Sequence, residues 1–160
     1  GRIFRPHVVK HIEDSQTGAL TTVEPEPIGE VPLRPDNIQR VRDGMIDVMK
    51  PGGTAAWAGM NAAYLFAGKT GTAQVIGLKG QKYEEDRIHE RHRDHALFIA
   101  YAPADDPKIA LAILVENGGH GSSTAAPIAR QVIDFYLLGK EPVLPKPVAA
   151  AAPQQEPEGD

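Results

Sequence analysis

Cysteine is absent from the 160 residues, which excludes a disulfide framework and a thiolate metal site and leaves the redox compartment unread. An excess of positive charge is also lacking. Lys and Arg number 17 against 21 Asp and Glu, a formal net charge of −4, and no basic stripe gathers along the chain. A generic nucleic-acid binder, whose affinity rests on clustered cations neutralising phosphates, is therefore excluded. Long apolar runs are missing too: Ala96–Ala102 and Ile109–Val115 fall far short of the roughly 20 residues a membrane helix needs. The chain opens on Gly1-Arg2-Ile3-Phe4-Arg5-Pro6, with neither Met nor a charged leader, and is expected to be a piece of something longer. What is present, 41% hydrophobic residues in a chain of ordinary domain length, suffices for a core.

The β-branched runs Ile3–Arg5 and Val8–Glu13 predict two short extended segments, and Asp14-Ser15-Gln16-Thr17-Gly18 supplies turn chemistry after the second. Between Glu24 and Pro35, four prolines restrict φ and remove backbone donors, which predicts an irregular connection. The apolar period then changes. Ile38, Val41, Met45, Val48 and Met49 line one side of a helix begun by Pro35 or Asp36, weakened at Gly44 and stopped by Lys50-Pro51-Gly52-Gly53. A small-residue loop, Gly52–Ala56, follows. Leu65–Val75, Ala96–Ala102 and Ile109–Glu116 predict three strands, the last two joined as a hairpin by Pro103-Ala104-Asp105-Asp106-Pro107. Those two are nearly apolar on both faces, which predicts helices covering both sides of the sheet. A second helix follows, capped by Ser122, Ser123 or Thr124, with Pro127 in its first turn. Ile128, Val132, Phe135 and Leu138 or Tyr136 form its expected buried stripe, and Gly139 is its stop. The Pro- and Ala-rich residues 141–160 bury too little apolar surface to offset ordering and are expected to be a disordered tail, leaving 1–140 as the folded part.

The chemistry concentrates in Ala67-Gly68-Lys69-Thr70-Gly71-Thr72-Ala73-Gln74 on a predicted strand. A Lys supplies positive potential for an anion, the hydroxyls of Thr70 and Thr72 can donate to a carboxylate, and Gly71 leaves room for close packing. Taken alone, the tetrapeptide reads equally as a surface Lys among strand-compatible threonines, and composition favours that plainer reading. A P-loop fails, because its first Gly would fall at Ala63 and Tyr64-Leu65-Phe66 stands where a flexible nest is needed.

With its surroundings the motif resembles a known family, the penicillin-binding proteins and serine β-lactamases, whose third signature is Lys-Thr/Ser-Gly. Gly53-Thr54-Ala55 after a helix, Phe66–Gln74, and Ala96-Leu97-Phe98-Ile99-Ala100-Tyr101-Ala102-Pro103 are similar to the class B transpeptidases, and more narrowly to their cell-elongation branch. The resemblance covers Gly1 to Gly139. It implies an α/β (α+β) fold with an antiparallel sheet packed by helices, as the second half of the penicillin-binding transpeptidase and serine β-lactamase-like fold. It implies that Lys69 lies at a cleft floor near the nucleophile, that Thr70 and Thr72 hold the carboxylate of a stem peptide or β-lactam, and that the Thr72 N–H is an oxyanion-hole donor. It also implies a strand at the cleft edge able to pair with an extended peptide. The implied reaction is serine acyl transfer that cross-links peptidoglycan stem peptides, with no metal or organic cofactor. The implied setting is the periplasmic face of the inner membrane, beside elongation-machinery membrane proteins.

That chemistry needs a Ser with a Lys three residues later, yet Ser15, Ser122 and Ser123 are followed at that distance by Gly18, Ala125 and Ala126. A Ser-x-Asn is likewise absent. The nucleophile is expected on the N-terminal half of the same domain, outside this sequence, so the chain by itself is expected to be inactive. A β-lactamase or D,D-carboxypeptidase fragment, which passes the acyl group to water, and a non-catalytic β-lactam sensor are the rival readings.

His89, His92 and His95 at spacings of three could align to bind a transition metal, but Arg87, Arg91 and Arg93 would repel a cation. A solvated loop, part of which could line the substrate entrance, is the favoured reading of 79–94. His120 sits in a flexible turn, where a plain loop role outweighs a substrate contact, and His7 and His11 stand in no motif. Trp57 and Tyr64 could wall a cleft, although packing under the sheet is the commoner fate of such residues.

Overall fold

The opening β-branched runs do form strands in the computed structural model, which describes residues 1–77 and 88–143. Strand β1 (Arg2–Phe4) pairs antiparallel with β4 (Pro27–Glu30), and β2 (His11–Glu13) with β3 (Leu20–Thr22). The turn between β2 and β3 is the predicted one. Asp14 Oδ1 accepts from the N–H groups of Gln16 and Thr17, and Gly18 takes the left-handed conformation at φ 69°. Strand β4 corrects the expectation of an irregular connection from Glu24 to Pro35. Pro27 occupies its first position, and the β1–β4 register shifts there, opposite Phe4, so the missing proline donor breaks no regular ladder.

Helix α1 (Pro35–Asp47) starts and stops where predicted, with Lys50 Nζ 2.9 Å from Asp47 Oδ1 just beyond its end. Its stripe is shallower than expected: no residue within the helix is fully buried and Val41 is 62% exposed, while Met49, past the end, reaches the core. The contacts divide the chain into one unit over Gly1–Arg42 and a second beginning at Asp43.

The second unit is built on a three-stranded antiparallel sheet in the order β5 (Ala67–Ala73), β6 (His95–Ala102), β7 (Ile109–Val115). Before it, Ala56–Gly59 form a single helical turn, α2, where a loop end was expected. Burial alternates along β6, so Ala96, Phe98, Ala100 and Ala102 point into the core while Ile99 is 50% exposed. Among the described residues the core cluster lies on the first of these faces, where Ala58 of α2 and Ala125, Ala126, Ala129 and Ile133 join it, so the expectation of two covered faces is not met. Ile99 and Leu114 remain exposed on the other.

A wide π-type turn (Gly121–Ala125) runs directly into helix α3 (Ala126–Leu138). Ser123 and Thr124 do not cap the helix as predicted. Their hydroxyls donate back to the carbonyls of His120 (3.2 Å) and Gly118 (2.7 Å). The buried face of α3 is Ala126, Ala129 and Ile133, not the predicted stripe, and Ile128, Val132, Phe135, Tyr136 and Leu138 are all exposed. The physical reason is close approach. Ala125, Ala126 and Ala129 join Ala96, Ala100 and Ala102 in one core cluster, and small residues on both surfaces let helix and sheet come near, with Phe66, Phe98 and Ile133 filling the remainder. Gly139 ends the helix at φ 64°, as its sequence position predicts, and its N–H bonds to Phe135 O. The expected tail lies, from residue 144 on, outside the described residues.

Candidate functional site

The Lys-Thr-Gly-Thr run lies on β5, at one edge of the three-stranded sheet, and pairs with β6 along its whole length from Ala67↔Tyr101 to Ala73↔His95. The strand begins buried at Ala67 and Gly68 and emerges toward the surface from Lys69 onward. Gly68 is obligatory for packing, because a Cβ there would meet the Phe98 ring at 2.4 Å. Gly71 lies under the wide turn. A Cβ on Gly121 would stand 2.5 Å from Gly71 O and 2.2 Å from Leu97 O, so two glycine backbones touch directly.

Register assigns the side chains. Lys69 and Gly71 stand opposite Ile99 and Leu97, whereas Thr70 and Thr72 stand opposite Phe98 and Ala96 and so share the other face. Lys69 is exposed and its Nζ donates to Thr70 O at 2.7 Å. Thr72 is exposed and Thr70 half-buried, with Thr70 Oγ1 3.4 Å from Thr54 Oγ1.

The loop carrying Thr54 is firmly seated. Ala55 is buried and its N–H donates to Val48 O at 3.0 Å, and a Cβ on Gly53 would lie 2.2 Å from Asp47 O. Farther along, Arg130 of α3 reaches the carbonyls of Ala58 (2.9 Å), Met60 (3.2 Å) and Asn61 (3.3 Å) and donates through Nε to Asp134 Oδ1 at 2.9 Å. Tyr64 OH donates to the same Asp134 oxygen at 2.6 Å. Burial alone would raise the Asp134 carboxyl, but the hydrogen bonds from Tyr64 and Arg130 and the Arg130 charge outweigh it and hold the group below the usual aspartate value. Burial, followed by the bond to Asp134 and its charge, pushes the Tyr64 phenol up. Tyr64 thus packs beside the core as the commoner fate predicts, but Trp57 does not and is 74% exposed.

Past Thr72, a polar junction fixes the strand end. Val75 N–H donates to Asp94 Oδ1 at 3.1 Å, and Asp94, only 6% exposed, accepts through its backbone from Gly119 N–H at 2.8 Å. Asn117, at φ 54°, donates its amide to the carbonyls of Arg91 (3.1 Å) and Arg93 (2.9 Å) and its N–H to His95 Nδ1 (2.9 Å). His95 is therefore a structural acceptor at the start of β6. His89 and His92 lie on a separate 3₁₀ turn (Glu90–His92) and its leading residue, with ring centroids 6.0 Å apart. Among the described residues no group of three or more His, Asp or Glu is placed to hold a metal. The part of the expected entrance loop over 79–87 lies outside the described residues.

Sequence reasoning passed over Asp94 and Asn117 and gave Thr54 no role. Asn117-Gly118-Gly119 directly after a strand carries the signal for a positive-φ corner, whereas the Thr54–Thr70 approach leaves no local trace.

An antiparallel sheet backed by a C-terminal helix and edged by a Lys-Thr-Gly-Thr strand defines the α/β penicillin-binding fold. The chain belongs to the penicillin-binding protein transpeptidase domain family, whose model matches residues 1–134. It is 41% identical over 155 residues to the peptidoglycan D,D-transpeptidase MrdA of Haemophilus influenzae, covering 91% of this chain and 23% of that protein. The crystal structure of Pseudomonas aeruginosa PBP2 in complex with WCK 5153 is similar at TM-score 0.64 and 42% identity, over 86% of this chain and 27% of that one. Penicillin-binding protein A of Mycobacterium tuberculosis, as a ceftriaxone acyl-enzyme, matches at TM-score 0.63 and 31% identity, over 86% of this chain and 29% of that one. The chain thus spans about a quarter of the length of these relatives.

Proposed function

We propose that this chain is the C-terminal portion, over residues 1–140, of a peptidoglycan D,D-transpeptidase that also binds β-lactams, and that it supplies one wall of the active site. The observation that carries the reading is the edge strand β5, which exposes Lys69 and sets the hydroxyls of Thr70 and Thr72 on one face over a glycine-packed backbone. Kinship with a D,D-transpeptidase favours that reaction over the β-lactamase and carboxypeptidase alternatives.

In the reaction, a Ser on a segment outside this sequence loses its proton to a neighbouring base and attacks the penultimate D-alanine carbonyl of a stem peptide. The tetrahedral oxyanion collapses, the peptide bond breaks, and the terminal D-alanine leaves with a proton on its amine. An amine from a second stem peptide then attacks the ester, forming the cross-link and freeing the Ser. Lys69 supplies positive potential and aids proton movement near the nucleophile, and the hydroxyls of Thr70 and Thr72 hold the substrate carboxylate. The Thr72 N–H stabilises the oxyanion. Strand geometry supports this: Thr70 O accepts from the exposed Lys69 side chain, and alternate residues of a strand turn their backbone groups to the same edge. A peptide added along that edge would pair with these groups, taking the place of Lys69 Nζ at Thr70 O. The parent protein works on the periplasmic face of the inner membrane with membrane proteins of the elongation machinery.

Fluorescent penicillin tests the reading. The intact protein should form a stoichiometric Ser adduct, and Lys69→Ala should slow acylation about 100-fold or more with the fold retained. The 160-residue chain by itself should form none. An unchanged rate in Lys69→Ala removes Lys69 from the mechanism, and an adduct on the isolated chain reveals a nucleophile within it.

A further inference from the structure

We propose that Thr54 is a positioning residue for anion recognition, its hydroxyl donating to Thr70 Oγ1 so that the single Thr70 proton is directed at the carboxylate of a bound peptide or β-lactam. The proposal rests on the reading of Thr70 as part of a carboxylate clamp.

The argument is one of proton count. A threonine hydroxyl has one proton and two acceptor lone pairs. The pair Thr54 Oγ1 and Thr70 Oγ1 stands 3.4 Å apart, and either oxygen can donate in the absence of ligand. An anion removes that freedom. If Thr70 donates to Thr54, it offers the carboxylate only lone pairs, and the contact is repulsive. If Thr54 donates to Thr70, the Thr70 proton is free for the anion and both protons are used. The second arrangement also polarises Thr70 and strengthens its bond to the ligand. A separation of 3.4 Å exceeds the usual 2.7–2.8 Å for such bonds, so the pair is loosely engaged and has room to tighten when an anion draws the Thr70 proton outward.

Thr54 is held where this requires it. The Ala55 N–H bond to Val48 O and the close approach of Gly53 to Asp47 O seat the loop backbone on the end of α1. The Thr54 side chain remains exposed, so its hydroxyl rather than its bulk is what the site uses. A serine would serve equally and a valine would not.

The test is pre-steady-state acylation of the intact enzyme by a β-lactam and by the methyl ester of the same compound, which lacks the anionic carboxylate. Thr54→Val should weaken the apparent binding constant for the acid about 3- to 10-fold, leave the acylation step itself unchanged, and have no effect on the ester. Thr54→Ser should stay within about 2-fold of the parent. The proposal is overturned if Thr54→Val matches the parent, if it weakens acid and ester alike, or if Thr54→Ser is as defective as Thr54→Val. Thr70→Val separates the two readings. Should it leave the preference for acid over ester intact, the clamp itself is wrong. Should it abolish that preference while Thr54→Val leaves it at the parent's value, only the role of Thr54 falls.

Discussion

Asp134 accepts two hydrogen bonds at once, from Tyr64 OH at 2.6 Å and from Arg130 Nε at 2.9 Å, and both ionic side chains are less than a fifth exposed. Replacing Tyr64 by Phe removes one charge-assisted bond but leaves the carboxylate paired with Arg130, a loss of about 1.5 kcal/mol. Asp134→Ala orphans both donors and should cost about 3 kcal/mol. In the double variant the Tyr64–Asp134 bond is lost only once, so the cost should remain about 3 kcal/mol, giving a coupling of about 1.5 kcal/mol by equilibrium urea denaturation of the purified protein. Additivity within about 0.5 kcal/mol would refute the shared-acceptor geometry.

The same network fixes two pH limbs. Because the folded Asp134 value lies below the unfolded one near 3.9, its contribution is complete above about pH 5 and is lost as pH falls through the lowered folded value. Asp134→Ala should flatten that acid limb. Tyr64 is shifted the other way, so its contribution is complete below about pH 10 and is lost only as pH rises through the raised folded value. Tyr64→Phe should flatten the alkaline limb and leave most of the acid one, because Arg130 still pairs with the carboxylate.

Gly121→Ala places a methyl 2.2 Å from Leu97 O and 2.5 Å from Gly71 O, both backbone atoms, so it should destabilise by about 3 kcal/mol and lower β-lactam acylation with it; a thermal midpoint equal to the parent's would contradict the packing. Asn117→Gly keeps the positive φ but drops the bonds to Arg91 O and Arg93 O and should cost about 1–2 kcal/mol, whereas Asn117→Val adds strain and should cost more. Unfolding of the two variants at equal denaturant would show that the corner geometry is not what Asn117 supplies.

Elements whose signal is local were legible in the sequence: the β6–β7 hairpin, the Gly139 stop, the Asp14 turn and the strand carrying Lys69. The buried face of α3 was not. Periodicity weights residues by hydrophobicity, which selects Ile128, Val132 and Phe135, whereas the sheet in this structure offers alanines and is approached by alanines. Only Ile133 signals the true face by size. Strand β4 was hidden for a related reason, since proline statistics describe strand interiors and Pro27 sits at a strand start. Of the candidate site, the strand position of Lys69–Thr72 could be read because the motif is contiguous. Thr54 lies 16 residues before Thr70, and Asp94 lies 19 after Val75, so their meetings depend on how the loop, strand and junction fold together.

Rigidity and reactivity are divided unequally along β5. What fixes the strand is backbone packing: Gly68 under the Phe98 ring, Gly121 against Gly71, and the Val75 N–H on a buried carboxylate. The strand's exposed polar residues are Lys69 and Thr72. Donors held by their backbone need little reorganisation when a negative charge arrives, which is the condition under which they stabilise it most. The division separates two kinds of substitution. Changes to the glycines should lower stability and activity together, whereas changes to the hydroxyls should lower anion affinity and leave the unfolding midpoint in place.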